Sequence, residues 1–277
     1  MPISFVKASA CGNDFLIVEG LDFTSDLSAL TRDICDRHNG VGADGVEWIF
    51  PDPTADARIR LLNADGGEAE ISGNGTRCVA AYLVSDLAAQ GRSGLARPQA
   101  RELKIRTGAG IKTCRLQASN GMHFEFESAM GEPQIGGAAS IKLGNREVAG
   151  VLVSMGNPHF VIFIDDFSPR WQAEAAEIGS YQEFKQGMNV EYVKVIDSGN
   201  IEVRFYERGV GETQSSGTGS CASGVASIFT GRAQSPVQVH APGGVQTVRW
   251  DKLHSEQHSE VFLTGPAQLI CTGEYMG

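Results

Sequence analysis

Short runs of β-branched and aromatic residues, separated by Gly, Asn and Asp, recur along most of the chain. Runs of this length between turn-forming residues are typical of β-strands. We assign strands to FLIV (15–18), VEWIF (46–50), ARIRLL (57–62), LKIRT (103–107), HFEFE (123–127), VAGVLVSM (148–155), FVIFI (160–164), VEYVKVI (190–196), IEVRFY (201–206) and EVFLT (260–264). Asn120-Gly121 lies between two such runs and predicts a hairpin.

Helical spacing is rarer. It predicts helices over 27–38, before Asn39-Gly40, over 76–90, before Gly91, and over 218–230, before Gly231. The pattern therefore predicts an α+β protein with two β-rich halves, each containing one important helix.

An internal repeat supports this division. SerGlyAsnGly at 72–75 recurs as SerGlyThrGly at 216–219, and Gly12-Asn13 recurs as Gly156-Asn157 at the same offset along the chain. Two motifs that share one offset favour a duplicated domain, although Gly-rich turns can also recur by chance.

Each repeated turn directly precedes a predicted helix. Bare backbone N–H groups at a helix N-terminus can hold a carboxylate or phosphate, whereas the alternative is an ordinary N-cap. Two facing turns would hold one anionic group from both sides and place Ser72 and Ser216 on opposite faces of the ligand. Opposed groups are what a two-base racemase needs, but a serine hydroxyl requires a strong neighbouring base.

Composition limits size and location. The chain has 277 residues, enough for one large domain or two of ordinary size. Its net charge of −10 disfavours nucleic-acid partners, and no apolar run approaches the roughly 18 residues of a membrane span. The N-terminal residues do not resemble a secretory signal. Six cysteines without a CxxC pair argue against a disulfide framework or a zinc site, so we expect a cytoplasmic protein.

Polar residues near strand ends are candidates for the same site. His159 and Glu207 are the candidate bases; alone, the first would be a hydrogen-bonded loop histidine and the second a solvated partner of Arg208. Asparagine amides both donate and accept, which suits an amino-acid zwitterion, although each is also a common turn residue. The asparagines at strand ends are Asn13, Asn63, Asn157 and Asn189.

Seven segments carry a family resemblance. They are CGNDF (11–15), GVGADG (40–45), NADGGE (63–68), GNGTRC (73–78), SMGNPH (154–159), GMNV (187–190) and ERGVGET (207–213). Together they resemble the diaminopimelate epimerases, which are pyridoxal-independent amino-acid epimerases. The resemblance implies two pseudo-symmetric domains, each a β-barrel-like sheet around a central helix, with the active site in the interdomain cleft. The expected domains are 1–117 with 265–277, and 118–264, with the strand QLICT (268–272) returning to the first domain.

The resemblance also implies residue roles. The two catalytic positions, cysteine in the family, are Ser72 and Ser216 here, and His159 and Glu207 match the groups that polarise them. The residues matching those that hold the α-carboxylate and amine are Asn13, Gly73, Asn74, Asn157, Gly217 and Thr218. The residues matching those that hold the distal end are Asn63, Asn189 and Arg208, the last on its carboxylate. Nearby Cys78 and Cys221 lie within the helices and are expected in the core.

The expected activity is interconversion of LL- and meso-diaminopimelate, in lysine and peptidoglycan synthesis, without a metal or organic cofactor. By resemblance the protein is expected to be a homodimer with no nucleic-acid or membrane partner. Both catalytic positions depart from the family, which leaves three interpretations. In the first, the serines were engineered in place of cysteines to trap a complex. In the second, they are native in a branch of the family that epimerises more slowly. In the third, the chain is a non-catalytic amino-acid binder or another isomerase or dehydratase of the same fold.

Overall fold

The computed structural model describes residues 2–20, 26–89, 94–97, 99–185, 187–251 and 259–277. The chain divides into two compact units: unit 1 is Met1–Ser128 with Gly265–Gly277, and unit 2 is Ala129–Thr264. Residue 117, the expected boundary, lies inside the strand Gly110–Asn120, which pairs with the strand His123–Gly131 as one hairpin.

The secondary structure alternates many strands with a few helices. The helices are α1 (Leu27–Cys35), α2 (Gly73–Val84), α3 (Asp86–Ala89), α4 (Trp171–Gly179) and α5 (Gly217–Phe229). The strands of unit 1 are β1 (Ile3–Ala10), β2 (Asn13–Glu19), β3 (Gly45–Phe50), β4 (Ala57–Asn63), β5 (Glu68–Ala69), β6 (Glu102–Thr107), β7 (Gly110–Asn120) and β8 (His123–Gly131). The remaining strands are β9 (Gln134–Leu143), β10 (Arg146–Ser154), β11 (Pro158–Ile164), β12 (Asn189–Asp197), β13 (Asn200–Glu207), β14 (Gly211–Thr213), β15 (Val237–Ala241), β16 (Gly244–Arg249) and β17 (Val261–Tyr275).

Unit 1 is a closed sheet around a helix. Among the described residues, the strands pair in the ring β1–β2–β3–β4–β6–β7–β8–β17, and β17 pairs back with β1. Closure leaves the ring without a free sheet edge. Helix α2 fills the interior, and its residues from Asn74 to Val84 are all buried. The shorter α1 packs on β3 and β4 and belongs to a second apolar cluster.

Unit 2 is also a sheet packed around one helix. Strands β9 to β13 pair in sequence, β13 then pairs in parallel with β15, and β16 joins the first residues of β17. Helix α5 forms its core, where small side chains allow close approach: a Cβ atom on Gly224 would lie 2.8 Å from Val248. The predicted fold class, α+β with two similar β-rich units each built around a helix, is confirmed.

The repeat extends from the glycine turns to whole elements. The starts of α1 and α4, of α2 and α5, and of β3 and β12 are each separated by the offset that separates Ser72 from Ser216. The repeat therefore describes an architecture and not a chance recurrence of glycine turns.

Several local predictions are confirmed. Asn120 pairs with His123, as the predicted hairpin requires, and Gly121 adopts the positive φ of 59° that its turn needs. Residues 268–275 of β17 pair with β1, so the C-terminal strand does return to the first unit. Cys78 and Cys221 are fully buried core residues of the two central helices.

The predicted start of the second helix is wrong. Helix α2 begins at Gly73 and not at Thr76, because Ser72 is its N-cap and the Gly-Asn-Gly turn is its first helical turn. The extended backbone of Ser85 then separates α2 from α3. The end predicted at Gln90 and Gly91 lies outside the described residues.

The other helix predictions differ less. Helix α1 ends at Cys35 and not at residue 38, because the Asp36 carboxylate accepts the N–H groups of His38 and Asn39 and stabilises a turn there. Helix α5 begins and ends one residue earlier than predicted. No helix in the described ranges is long and apolar enough to cross a membrane.

Candidate functional site

The first glycine turn is built on Ser72. Its backbone is extended, and its Oγ accepts the N–H of Gly75 at 3.1 Å. Gly73 is exposed, and a Cβ atom there would have no neighbour within 4 Å. The start of α2 is therefore capped from within and open in front, as binding of an anion at a helix N-terminus requires.

A polar network holds the turn from behind. Asn74 Nδ2 donates to Asn13 Oδ1 at 2.8 Å, and Asn13 Nδ2 donates to Asp44 Oδ2 at 3.0 Å. Arg77 is almost fully buried and donates from Nη2 to Asn74 Oδ1 and from Nε to the Pro266 carbonyl. These bonds fix the two amides that the sequence assigned to substrate binding. Arg77 was missed, because its contacts with Asn74 and Pro266 arise only in the folded unit.

The second turn repeats this plan in unit 2. Ser216 is the N-cap of α5, and its Oγ accepts the N–H of Gly219 at 3.2 Å. Asn157 occupies the position that corresponds to Asn13, and its Nδ2 donates to Thr218 Oγ1 at 3.3 Å. Around Gly217 a Cβ atom would meet its nearest neighbour at 3.6 Å, so this turn too has space at its front.

His159 is buried behind the second turn. Its Nδ1 lies 2.7 Å from Glu191 Oε1, its Nε2 lies 3.0 Å from Asn157 Oδ1, and the imidazole and carboxyl side chains are each 1% exposed. Burial raises the pKa of Glu191, the nearby Glu207 raises it further, and His159 opposes the shift. The predicted base is thus part of a buried network and not a loop residue with a single bond.

The remaining candidates lie at the ends of β12, β13 and β4. Glu207 Oε1 accepts a bond from Thr213 Oγ1 at 2.7 Å. Asn189 Oδ1 accepts the N–H of Arg208 at 3.0 Å, and the arginine side chain is exposed. Asn63 ends β4 with an exposed side chain. Unit 2 thus brings Asn189 and Arg208 together, whereas Asn63 belongs to unit 1.

Two buried glutamates were missed as a pair. Glu47 on β3 and Glu191 on β12 occupy equivalent positions of the repeat and are 0% and 1% exposed. The carboxyl group of each lies against the first turn of a central helix, at Gly75 and Gly219 respectively. The offset between the repeats was the signal that could have found both. Burial raises the pKa of Glu47 to about 8.

Gly73 and Gly75, the two glycines of the first turn, differ in the space around them, and we expect their replacement to have different effects on stability. A Cβ atom at Gly75 would collide with Glu47 inside the core, so we expect Gly75→Ala to destabilise the protein by about 1–3 kcal/mol. Gly73→Ala should leave stability nearly unchanged, because the space around it is open. Urea unfolding of both variants measures this. Equal losses would contradict the proposed difference.

Solved structures share this fold. A phenazine biosynthesis protein of the PhzF family from Bacillus anthracis superposes with a TM-score of 0.72 at 17% identity, covering 99% of each chain. A hydroxyproline epimerase from Agrobacterium vitis superposes with a TM-score of 0.67 at 16% identity, covering 99% of this chain and 90% of that one. The chain thus has the fold of a class of two-unit proteins that includes amino-acid epimerases.

Sequence relatives are more specific. The family model for diaminopimelate epimerase matches residues 5–136 and 151–270. A diaminopimelate epimerase from Halothermothrix orenii is 36% identical over 99% of this chain and 98% of its own, and one from Elusimicrobium minutum is 35% identical over 99% of both. The chain belongs to the diaminopimelate epimerase family, whose members are isomerases of the racemase and epimerase type.

Proposed function

We propose that this protein interconverts LL- and meso-diaminopimelate by removing and returning the α-proton, in lysine and peptidoglycan synthesis. The observation that carries the proposal is the pair of serine-capped helix N-termini, at equivalent positions of the repeat, in a chain of this family.

The two turns suit the charge of the reaction. Backbone N–H groups at the starts of α2 and α5 would hold the α-carboxylate and stabilise negative charge as the carbanion develops. The amides that the networks hold in place are Asn13, Asn74 and Asn157, and they would orient the α-carboxylate and amine. This needs only groups that the chain itself supplies, so the proposal includes no cofactor.

Proton transfer is assigned to the two caps. Ser72 and Ser216 would act in turn as base and acid, with His159 and Glu207 as the polarising groups. Each serine Oγ accepts a backbone N–H in the resting structure, which leaves its own hydroxyl hydrogen available to a base or a substrate. We expect slow turnover, because a serine hydroxyl is a far weaker acid than the thiol of the family.

The distal end of the substrate is assigned to Asn63, Asn189 and Arg208. A guanidinium group can bind a carboxylate through two parallel hydrogen bonds, which a small amino acid without a second carboxylate cannot use. The bond from Arg208 N–H to Asn189 Oδ1 ties these two residues together.

The experiment is α-proton exchange of LL-diaminopimelate in D₂O, followed by NMR with the unaltered chain. Deuterium incorporation together with meso product is the expected result. Binding of the substrate without any exchange would contradict the proposal.

A second function is favoured by the serines themselves. By the family resemblance, the two serines depart from the family at the proton-transferring atoms, while the binding residues match it. A protein that binds an amino acid without turnover, or another isomerase or dehydratase of this fold, would have such a site. It would bind or convert its ligand without exchanging the α-proton of diaminopimelate.

Replacement of Arg208 tests the substrate assignment. Lysine keeps the charge but loses the planar pair of donors, so we expect Arg208→Lys to raise KM for diaminopimelate roughly 10- to 100-fold with little change in kcat. Steady-state kinetics measure both constants. Arg204→Lys is the matched control, because Arg204 lies on β13, which ends directly before Arg208, and its side chain bonds to Glu202. An unchanged KM for Arg208→Lys would remove this residue from the site.

Location and assembly complete the proposal. We place the protein in the cytoplasm as a homodimer without nucleic-acid or membrane partners. The acidic net charge of −10 supports the absence of a nucleic-acid partner, and the dimer follows from the family resemblance. Light scattering of the purified chain tests the dimer.

A further inference from the structure

The two units place a buried carboxyl group at equivalent points. Glu47 follows the start of β3 by two residues, and Glu191 follows the start of β12 by two residues. Each carboxyl contacts the first turn of its central helix, beside the serine cap. The duplicated scaffold therefore provides the same acidic position twice.

The units differ in what faces that carboxyl. The residue that corresponds to His159 in unit 1 is Phe15, which is buried and apolar. Within the described residues, neither oxygen of Glu47 has a hydrogen-bond partner, whereas Glu191 Oε1 lies 2.7 Å from His159 Nδ1. His159 thus has a carboxyl partner in unit 2. In the described part of unit 1, the equivalent carboxyl group of Glu47 has no hydrogen-bond partner.

The positions of the protons follow from the orientation of the Asn157 amide in the structure. Its Nδ2 donates to Thr218 Oγ1 and its Oδ1 faces His159, and a carbonyl oxygen can only accept. Nε2 must therefore carry a hydrogen. The bond between Nδ1 and Glu191 Oε1 needs one further hydrogen, on either atom. In both arrangements the pair has no net charge, which reduces the penalty for burying it.

We propose that Glu191 is the positioning residue of His159. The Glu191 carboxyl group shares one proton with His159 Nδ1 and thereby holds the ring in the orientation in which Nε2–H donates to Asn157. His159 is then connected in the resting protein through Asn157 and Thr218 to the start of α5. The catalytic part of this assignment rests on the proposed function, whereas the positioning part concerns the resting protein alone.

The first test is independent of turnover. In protein labelled with ¹⁵N-histidine, we expect a strongly deshielded resonance of the proton shared between His159 Nδ1 and Glu191, and this resonance is absent in His159→Gln. Glu191→Gln should shift it upfield or abolish it, because the charge-assisted bond is lost. Glu47→Gln is the matched control, the same change at the equivalent position, and should leave the resonance in place. An unchanged resonance in Glu191→Gln overturns the proposal, whether or not the chain is an epimerase.

The second test uses the reaction. We expect Glu191→Gln to lower kcat for α-proton exchange roughly 10- to 100-fold at unchanged KM, as a partial loss of an acid–base contribution of about 10²–10⁴. Glu47→Gln should change kcat less than about twofold, since the proposal gives Glu47 no role. Equal losses of kcat in both variants would indicate a general packing effect and overturn a specific role. If neither the unaltered protein nor any variant exchanges the α-proton, the proposed function is wrong. The NMR result then still decides whether Glu191 positions His159.

Discussion

Replacing both capping serines with cysteine, as Ser72→Cys with Ser216→Cys, should raise the rate of α-proton exchange by roughly 10²–10⁴, the usual contribution of a well-matched acid–base group. A thiol with an ordinary pKa of about 8.5 is ionised far more readily near neutral pH than a hydroxyl. The surrounding amides and helix N-termini are already in place, so only the transferring atoms change. Deuterium exchange in D₂O measures the gain.

The single variants are the controls for this result. Each turnover uses one group as base and the opposite group as acid, so either cysteine alone should recover less than the pair. A double variant that binds diaminopimelate but exchanges no faster than the unaltered chain would contradict the epimerase assignment and favour a binding protein.

The gain in rate should come with a loss of stability. Both serines accept a backbone N–H as N-caps, at 3.1 and 3.2 Å, and sulfur is a weak acceptor. Loss of a cap destabilises a helix by about 0.5–2 kcal/mol. Serine therefore stabilises these two helix starts, whereas cysteine would favour catalysis there.

Glu47→Gln should make the protein more stable at pH 8, and the free energy of unfolding of this variant should depend less on pH between about pH 5 and 8. Burial raises the pKa of Glu47 from an ordinary 4.5 to about 8, so the folded state keeps a proton that the unfolded chain releases. The contribution of this proton to stability is fully present below pH 4.5 and is lost as the pH rises through 8. The slope approaches about 1.4 kcal/mol per pH unit, and the total change is several kcal/mol.

Urea unfolding at pH 5, 6.5 and 8 measures this slope. Glu68→Gln is the control, because the Arg60 side chain lowers the pKa of that exposed carboxyl, which therefore does not titrate in this range. Parallel pH profiles for the unaltered chain and Glu47→Gln would show that the carboxyl is ionised throughout.

Features with a strong local signal were predictable. The offset between the two glycine turns located both central helices, and the motifs around them named the residues that the polar networks now join. Asn13 and Asn74 are an example, since one hydrogen bond joins them across 61 positions of the chain.

Other features had no such signal. Helix α4 was missed because Arg170 supplies no side-chain cap, although Trp171, Ala175 and Ile178 have helical spacing and are buried. Strand β9 was missed because its alternation uses glycine and alanine in place of large apolar residues. The burial of Glu47 and Glu191, and the contact of each carboxyl group with the start of a central helix, arise only when the sheets have folded.

The position of strand β17 at the end of the chain affects how the protein folds during synthesis. Its first residues complete the sheet of unit 2, and residues 268–275 then pair with β1 in unit 1. The chain is synthesised from its N-terminus, so β1 cannot pair with β17 until the last residues of the chain have been synthesised. The unit that is synthesised first is thus the last to close, and until then the edge of β1 leaves backbone N–H and C=O groups without partners.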